Sequence, residues 1–142
     1  RRKRRRIGFT MTLASVDQMF SGAAKRRYKT VTLPVAGFTL RLQSLTEKDY
    51  ANYQAFFLDK HGKPVPDRLK QASRIFISMC VVDAEGNRII TGDYVAKLAD
   101  WEAADAAFLY SECSKHAGIS QEDIEGLVKN CEQTQENSTP IG

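Results

Sequence analysis

An apolar stripe at helical period, set just before a tight turn, constrains this chain more than any other feature. After Asp67, the residues Leu69, Ala72, Ile75, Phe76, Met79 and Cys80 follow at steps of three and one, the spacing of one helix face. Arg68, Lys70, Gln71, Ser73 and Arg74 take the opposite face, and Asp67 is the expected N-cap. Val81 and Val82 carry the apolar run into Asp83-Ala84-Glu85-Gly86-Asn87, where Gly86 suits the left-handed position of a turn. Arg88-Ile89-Ile90 reads as a short strand or a packed loop. A helix with this stripe has to be covered, so the remaining segments are read as what covers it.

Upstream, Val31, Leu33 and Val35 alternate with polar residues, and Phe38, Leu40 and Leu42 alternate again beyond Ala36-Gly37. Period-two alternation on both sides of a turn predicts a β-hairpin with one buried face. Pro34 has no N–H, which assigns its strand to an edge. Thr46 and Asp49 form a capping-box pair, with Leu45 and Tyr50 as a hydrophobic staple, opening a helix to about Leu58. Gly62, Pro64 and Pro66 forbid its continuation. A helix from Thr91 through Leu98 buries Val95 and Leu98. Asp100 caps the next one, on which Trp101, Ala104, Phe108 and either Ala107 or Tyr110 face the core. The alanines at 103, 104, 106 and 107 let another helix approach closely. Gly118 is a C-cap, and Ser120 with Asp123 opens a last helix ending near Asn130.

The expected fold class is mainly α (α+β): a compact bundle of about five helices with an N-terminal β-hairpin, in residues 28–130. A basic, flexible leader (1–27) and a polar, flexible tail (131–142) flank it. The length suits one domain with a real core. No run reaches the ~18 apolar residues of a membrane span, and no signal peptide is recognisable. Three widely spaced cysteines read as reduced cytosolic thiols.

Charge is unevenly placed. Arg1, Arg2, Lys3, Arg4, Arg5 and Arg6 hold six of the 21 basic residues, leaving 15 against 17 acidic ones, a body near −2. Such an arm, aided by Lys25 to Lys29, is the site on which an alternative reading, a small nucleic-acid-binding protein, would rest, but a neutral-to-acidic body argues against nucleic acid as a partner. Met11 stands where the composition changes, so the arm reads equally as a disordered extension or as sequence upstream of a start at Met11.

Residues for catalysis are scarce. His61 lies in the Pro-rich loop, and His116 precedes Gly118. Cys113 and His116 stand at i and i+3 on one helix, two ligands where a structural zinc needs four. Glu102, Asp105, Glu112, Glu122, Asp123 and Glu125 read as solvated helix faces. Neither glycine-rich phosphate-binding pattern occurs. The expectation is a non-enzymatic contact protein with no metal and no cofactor.

Three segments carry a resemblance in their order and separation: LRLQSLTEKDYANY, ASRIFISMCVVDAEGNRIITGDYVAKLADW and GISQEDIEGLVKN. Between Ser44 and Asn130, roughly 60% of the chain, they resemble the tail assembly chaperones of long-tailed bacteriophages and prophages. The Arg-rich start does not belong to that pattern. The resemblance implies a non-enzymatic role: binding the aggregation-prone tape measure protein and recruiting tail tube subunits. It places the protein in the host bacterial cytoplasm, absent from the finished virion, with self-association open to it.

Shielding an amphipathic client needs an apolar groove. Tyr50, Tyr53, Phe56 and Phe57 are the candidate client-binding residues, with Ile75, Phe76, Met79 and Trp101 as further possibilities. Tyr53 and Phe57 are the expected exposed pair, because this aromatic-heavy helix has more bulk than one narrow stripe requires.

Overall fold

A computed structural model of the chain describes residues 12–22 and 25–137. The elements run α1 (Val16–Gly22), β1 (Tyr28–Thr32), β2 (Thr39–Gln43), α2 (Glu47–Phe56), α3 (Pro66–Leu69), α4 (Ala72–Cys80), β3 (Val81–Val82), α5 (Asp93–Lys97), a 3-10 turn (Leu98–Asp100), α6 (Ala103–Ala117) and α7 (Gln121–Asn137). The protein is mainly helical with a small antiparallel sheet, as the periodicities predict.

The sheet has the order β1-β2-β3. β1 pairs with β2 from Tyr28↔Gln43 to Thr32↔Thr39, and β2 pairs with β3 through Leu42↔Val81 and Arg41↔Val82. The third strand is therefore the valine pair ending the apolar run, while Arg88 makes only a single bridge to Val82. β-branched residues leave the helix readily, and Val81 is already extended at φ −82°, ψ 123°. Pro34 sits in the hairpin turn beyond β1. Val31, Leu33 and Leu42 are buried, whereas Val35 and Phe38 at the tip stand in solvent.

Thr46 caps α2 as expected: its hydroxyl accepts from Asp49 N at 3.1 Å, and the Asp49 carboxylate accepts from Thr46 N at 3.0 Å. The loop after α2 is folded tightly. Leu58 bridges Pro64, Val65 N donates to Phe57 O at 2.8 Å, and Asp59 accepts from the amides of His61 and Lys63.

The expected single central helix is two, and Asp67 does not cap it. Pro66 occupies the first turn of α3, where its fixed φ fits and its missing N–H costs nothing, and the helical path breaks at Lys70-Gln71 before α4. The stripe survives the break: Leu69, Ala72, Phe76, Met79 and Cys80 are buried, and Ile75 is half-buried. Ile77 and Ser78 are buried as well, so the end of α4 is covered nearly all round.

Asp100 does not cap α6 either; Glu102 holds the N-cap position with no side-chain bond. The buried line of α6 is Asp105, Leu109 and Cys113, while Ala104 and Ala107 are exposed and Trp101 and Phe108 half-buried. Gly118 closes α6 at φ 76°, its N–H donating to Ser114 O at 3.0 Å. Ser120 Oγ accepts from Asp123 N at 3.0 Å to start α7. That helix continues past Asn130 to Asn137, into the stretch expected to be a tail.

Before the hairpin, α1 forms inside the segment expected to be a flexible leader. Arg26 and Arg27 are fastened to the body, which therefore begins before Tyr28. Arg26 pairs with Asp49 at 2.8 Å and donates to Ser44 O at 2.8 Å. Arg27 N donates to Ser44 Oγ, and its guanidinium to His116 O, each at 2.8 Å.

Candidate contact surface

Of the four aromatic residues expected to meet a client, two belong to the core. Tyr53 is 1% and Phe57 0% exposed, which corrects the expectation that they are the exposed pair. The inner line of α2 is Asp49, Tyr53 and Phe57, one residue per turn. α4 closes over it: Tyr53 stands edge-on to Phe57 at 4.9 Å and to Phe76 at 5.5 Å. Its hydroxyl donates to Ala72 O at 3.0 Å, and burial, then the neighbouring Tyr110, push its pKa far up. The bulk that suggested an outward surface is taken up between two helices and the folded loop. Tyr50 is half-buried against Tyr53 at 6.2 Å. Phe56 remains at the rim, 36% exposed, with the Arg68 guanidinium 5.4 Å from its ring.

The basic residues divide in the same way. Arg1 to Arg6 lie outside the described residues. In the second cluster, Arg26 is paired with Asp49, and Lys29 with Glu112 at 2.9 Å. These cations act as fasteners between the first strand and the helices.

The Cys113–His116 pair points two ways. Cys113 is buried, its thiol pushed up by a hydrogen bond to Cys80 and by desolvation. His116 Nε2 lies 3.0 Å from Arg27 O; a carbonyl only accepts, so this nitrogen carries the proton. Among the described residues, no three metal-ligating side chains gather.

The exposed apolar surface lies elsewhere. At the hairpin tip, Val35 is 60% and Phe38 67% exposed. The tip is held from below by Asp105, which is 2% exposed and accepts from Val35 N at 2.8 Å and Ala36 N at 3.0 Å. A charged acceptor bonded to two consecutive amides fixes the turn more firmly than a neutral one. Leu33, Val35, Phe38 and Trp101 line a cleft of about 260 Å³ over this anchor.

Trp101 also closes one end of a second cleft, about 270 Å³, running between α4 and the alanine face of α6. At its other end, Ser73 and Tyr110 are shared with a third cleft of about 320 Å³ beside Ile124 and Val128 of α7. Hairpin tip, Trp101, alanine seam and Tyr110 thus follow one another as a largely apolar track of neighbouring clefts along α6, which the polar Ser73 and Arg74 enter. Burial, then Glu125, push Tyr110 up to about 12, so its hydroxyl stays neutral at ordinary pH.

A separate apolar face belongs to α1, where Val16, Met19 and Phe20 are exposed and a cleft of about 720 Å³ separates the helix from Arg26, Leu45 and Lys48.

Sequence reasoning missed Asp105, which alternates with alanines like any solvated acid. It missed Val35 and Phe38 because strand alternation counted them inward. The one available signal was Pro34, which shortens the strand before Val35. Neither a family model, nor a curated protein, nor a solved structure matches the chain.

Proposed function

We propose that the protein is a non-enzymatic tail assembly chaperone of a long-tailed phage or prophage, acting by contact in the host cytoplasm. Its client on this reading is the tape measure protein, with tail tube subunits as second partners. The observation that carries it is the apolar tip of Val35 and Phe38, held rigid by Asp105 and continuous with the Trp101 track. A preformed apolar surface of this kind suits capture of an amphipathic helix, because little side-chain order is lost on binding. The resemblance of Ser44 to Asn130 to the chaperone family supplies the client's identity.

Several residues with chemical potential have structural employment: His116 and Arg27 tie the first strand to α6, and Asp105 ties the hairpin. In the cluster from Lys25 to Lys29, Arg26 and Lys29 already hold carboxylates, which argues against that cluster as a nucleic-acid site.

The test is co-expression with the tape measure protein encoded in the same gene cluster. Wild-type protein is expected to raise the soluble yield of that client. Val35→Ser with Phe38→Ser is expected to abolish the gain while leaving the melting temperature within about 2 °C, as for exposed substitutions. An unchanged client yield with the wild-type protein refutes the reading.

A further inference from the structure

Arg74 is the unusual residue of the track. It projects from α4 into the seam facing α6, lining it with Ile77, Trp101, Ala106, Ala107 and Tyr110. Its Nε is shielded from solvent and has no hydrogen-bond partner. None of the described carboxylates stands in ion-pair range of its guanidinium, and no acidic residue lines this cleft. Only Nε is withdrawn from water, and its N–H is unpartnered; a carboxylate arriving side-on would accept from that N–H and supply the counter-charge at once.

The walls fit a particular visitor. Ala103, Ala106 and Ala107 stand at i, i+3 and i+4 on α6, with Tyr110 one turn further. Small side chains at that spacing let a second helix axis approach to about 8 Å rather than about 10 Å. Trp101 and Tyr110 bracket the seam, and aromatic residues with one polar end are favoured anchors at contact surfaces. A single cation between alanines and aromatic rings is poorly suited to nucleic acid, which needs several phosphate contacts.

We propose that the seam between α4 and α6 binds an amphipathic helix of a partner protein, and that a Glu or Asp on that helix's apolar face pairs with Arg74. This rests on the contact-protein reading above and adds the chemistry by which the client face is recognised. The acid sets which helix, and in which register, the apolar track accepts.

Trp101 is the only tryptophan of the chain and lies in the seam, so its emission reports occupancy. The probe is a synthetic amphipathic helix of about five turns (~18 residues), with one Glu centred on an Ala/Leu face, compared with its Gln twin. The Glu peptide is expected to bind about tenfold more tightly than the Gln peptide. Arg74→Met, which keeps length and apolar stem, is expected to remove that preference.

Ala107→Glu, at an exposed position of the same seam, furnishes a carboxylate in cis and is expected to remove it too. Thermal melts confirm that both variants fold. Equal affinity for the two peptides overturns the proposal, as does a preference that survives Arg74→Met. So does an unmoved Trp101 emission with both peptides, or full competition by inorganic phosphate, which would make the seam an anion site only. The co-expression yield above is read independently, so failure here leaves that result distinguishable.

Discussion

Replacing Asp105 by Asn tests the anchor under the hairpin tip most directly. The carboxylate is nearly inaccessible, and its two oxygens separately accept from Val35 N and Ala36 N at 2.8 and 3.0 Å. Hydrogen bonds to a charged group contribute about 1.5–3 kcal/mol each, offset in part by the cost of burying the charge. Asparagine keeps one acceptor but turns an NH₂ group toward the other backbone N–H, losing one bond and opposing two donors. The expected cost is about 2–3 kcal/mol. Alanine loses both acceptors, yet it opposes no donors and leaves two amides at an exposed tip that water can reach, so its cost is similar.

For a domain of this size about 4 °C is lost per kcal/mol, giving a fall of roughly 8–12 °C for either variant. Calorimetry measures the fall, and hydrogen exchange at the Val35 and Ala36 amides locates it; both amides are expected to exchange faster while those of α4 keep their rank order. An Asn variant within about 1 kcal/mol of wild type, with both amides equally protected, would refute the claim that this carboxylate holds the tip.

The core assignment of α2 makes a second prediction. Tyr53→Phe loses the bond to Ala72 O and is expected to cost about 1 kcal/mol, whereas Tyr53→Ser with Phe57→Ser removes two buried rings and is expected to unfold the protein at room temperature. Circular dichroism melts separate these outcomes, and a stable, folded double variant would return the pair to the surface. The third prediction concerns acid. Desolvation raises the Asp49 pKa, but the Thr46 amide and the Arg26 guanidinium outweigh it and hold the carboxyl below its ordinary 3.8. A folded-state value below the unfolded one gives stability that is complete above about pH 4 and lost as pH falls through the lowered value. Urea midpoints taken between about pH 5 and pH 2 are expected to fall less steeply for Asp49→Asn than for wild type; parallel curves would show that the Arg26–Asp49–Thr46 cluster contributes nothing.

Read alone, the sequence determined what depends on neighbours within one or two turns. The Thr46–Asp49 box, the Ser120–Asp123 cap and the Gly118 terminus are exchanges between backbone groups and side chains three or four residues away. The stripe from Leu69 to Cys80 was legible because its period is set by helix geometry, and it survived even the break at Lys70-Gln71. The hairpin followed from alternation. These features decided a mainly helical fold with a small sheet.

What the sequence left open is which side of each element another element covers, because that depends on partners tens of residues away. Tyr53 and Phe57 became core only when α4 and the Pro-rich loop closed on α2. Asp105 became buried only because the amides of Val35 and Ala36, some seventy residues earlier, replace the water a carboxylate would otherwise require. Val35 and Phe38, counted inward by alternation, stand exposed because the chain has already left the strand for the hairpin turn. The chain thus specified its helices locally, whereas tertiary packing decided which aromatic residues vanish and which remain for a partner, since burial is a property of pairs of surfaces and not of any one segment.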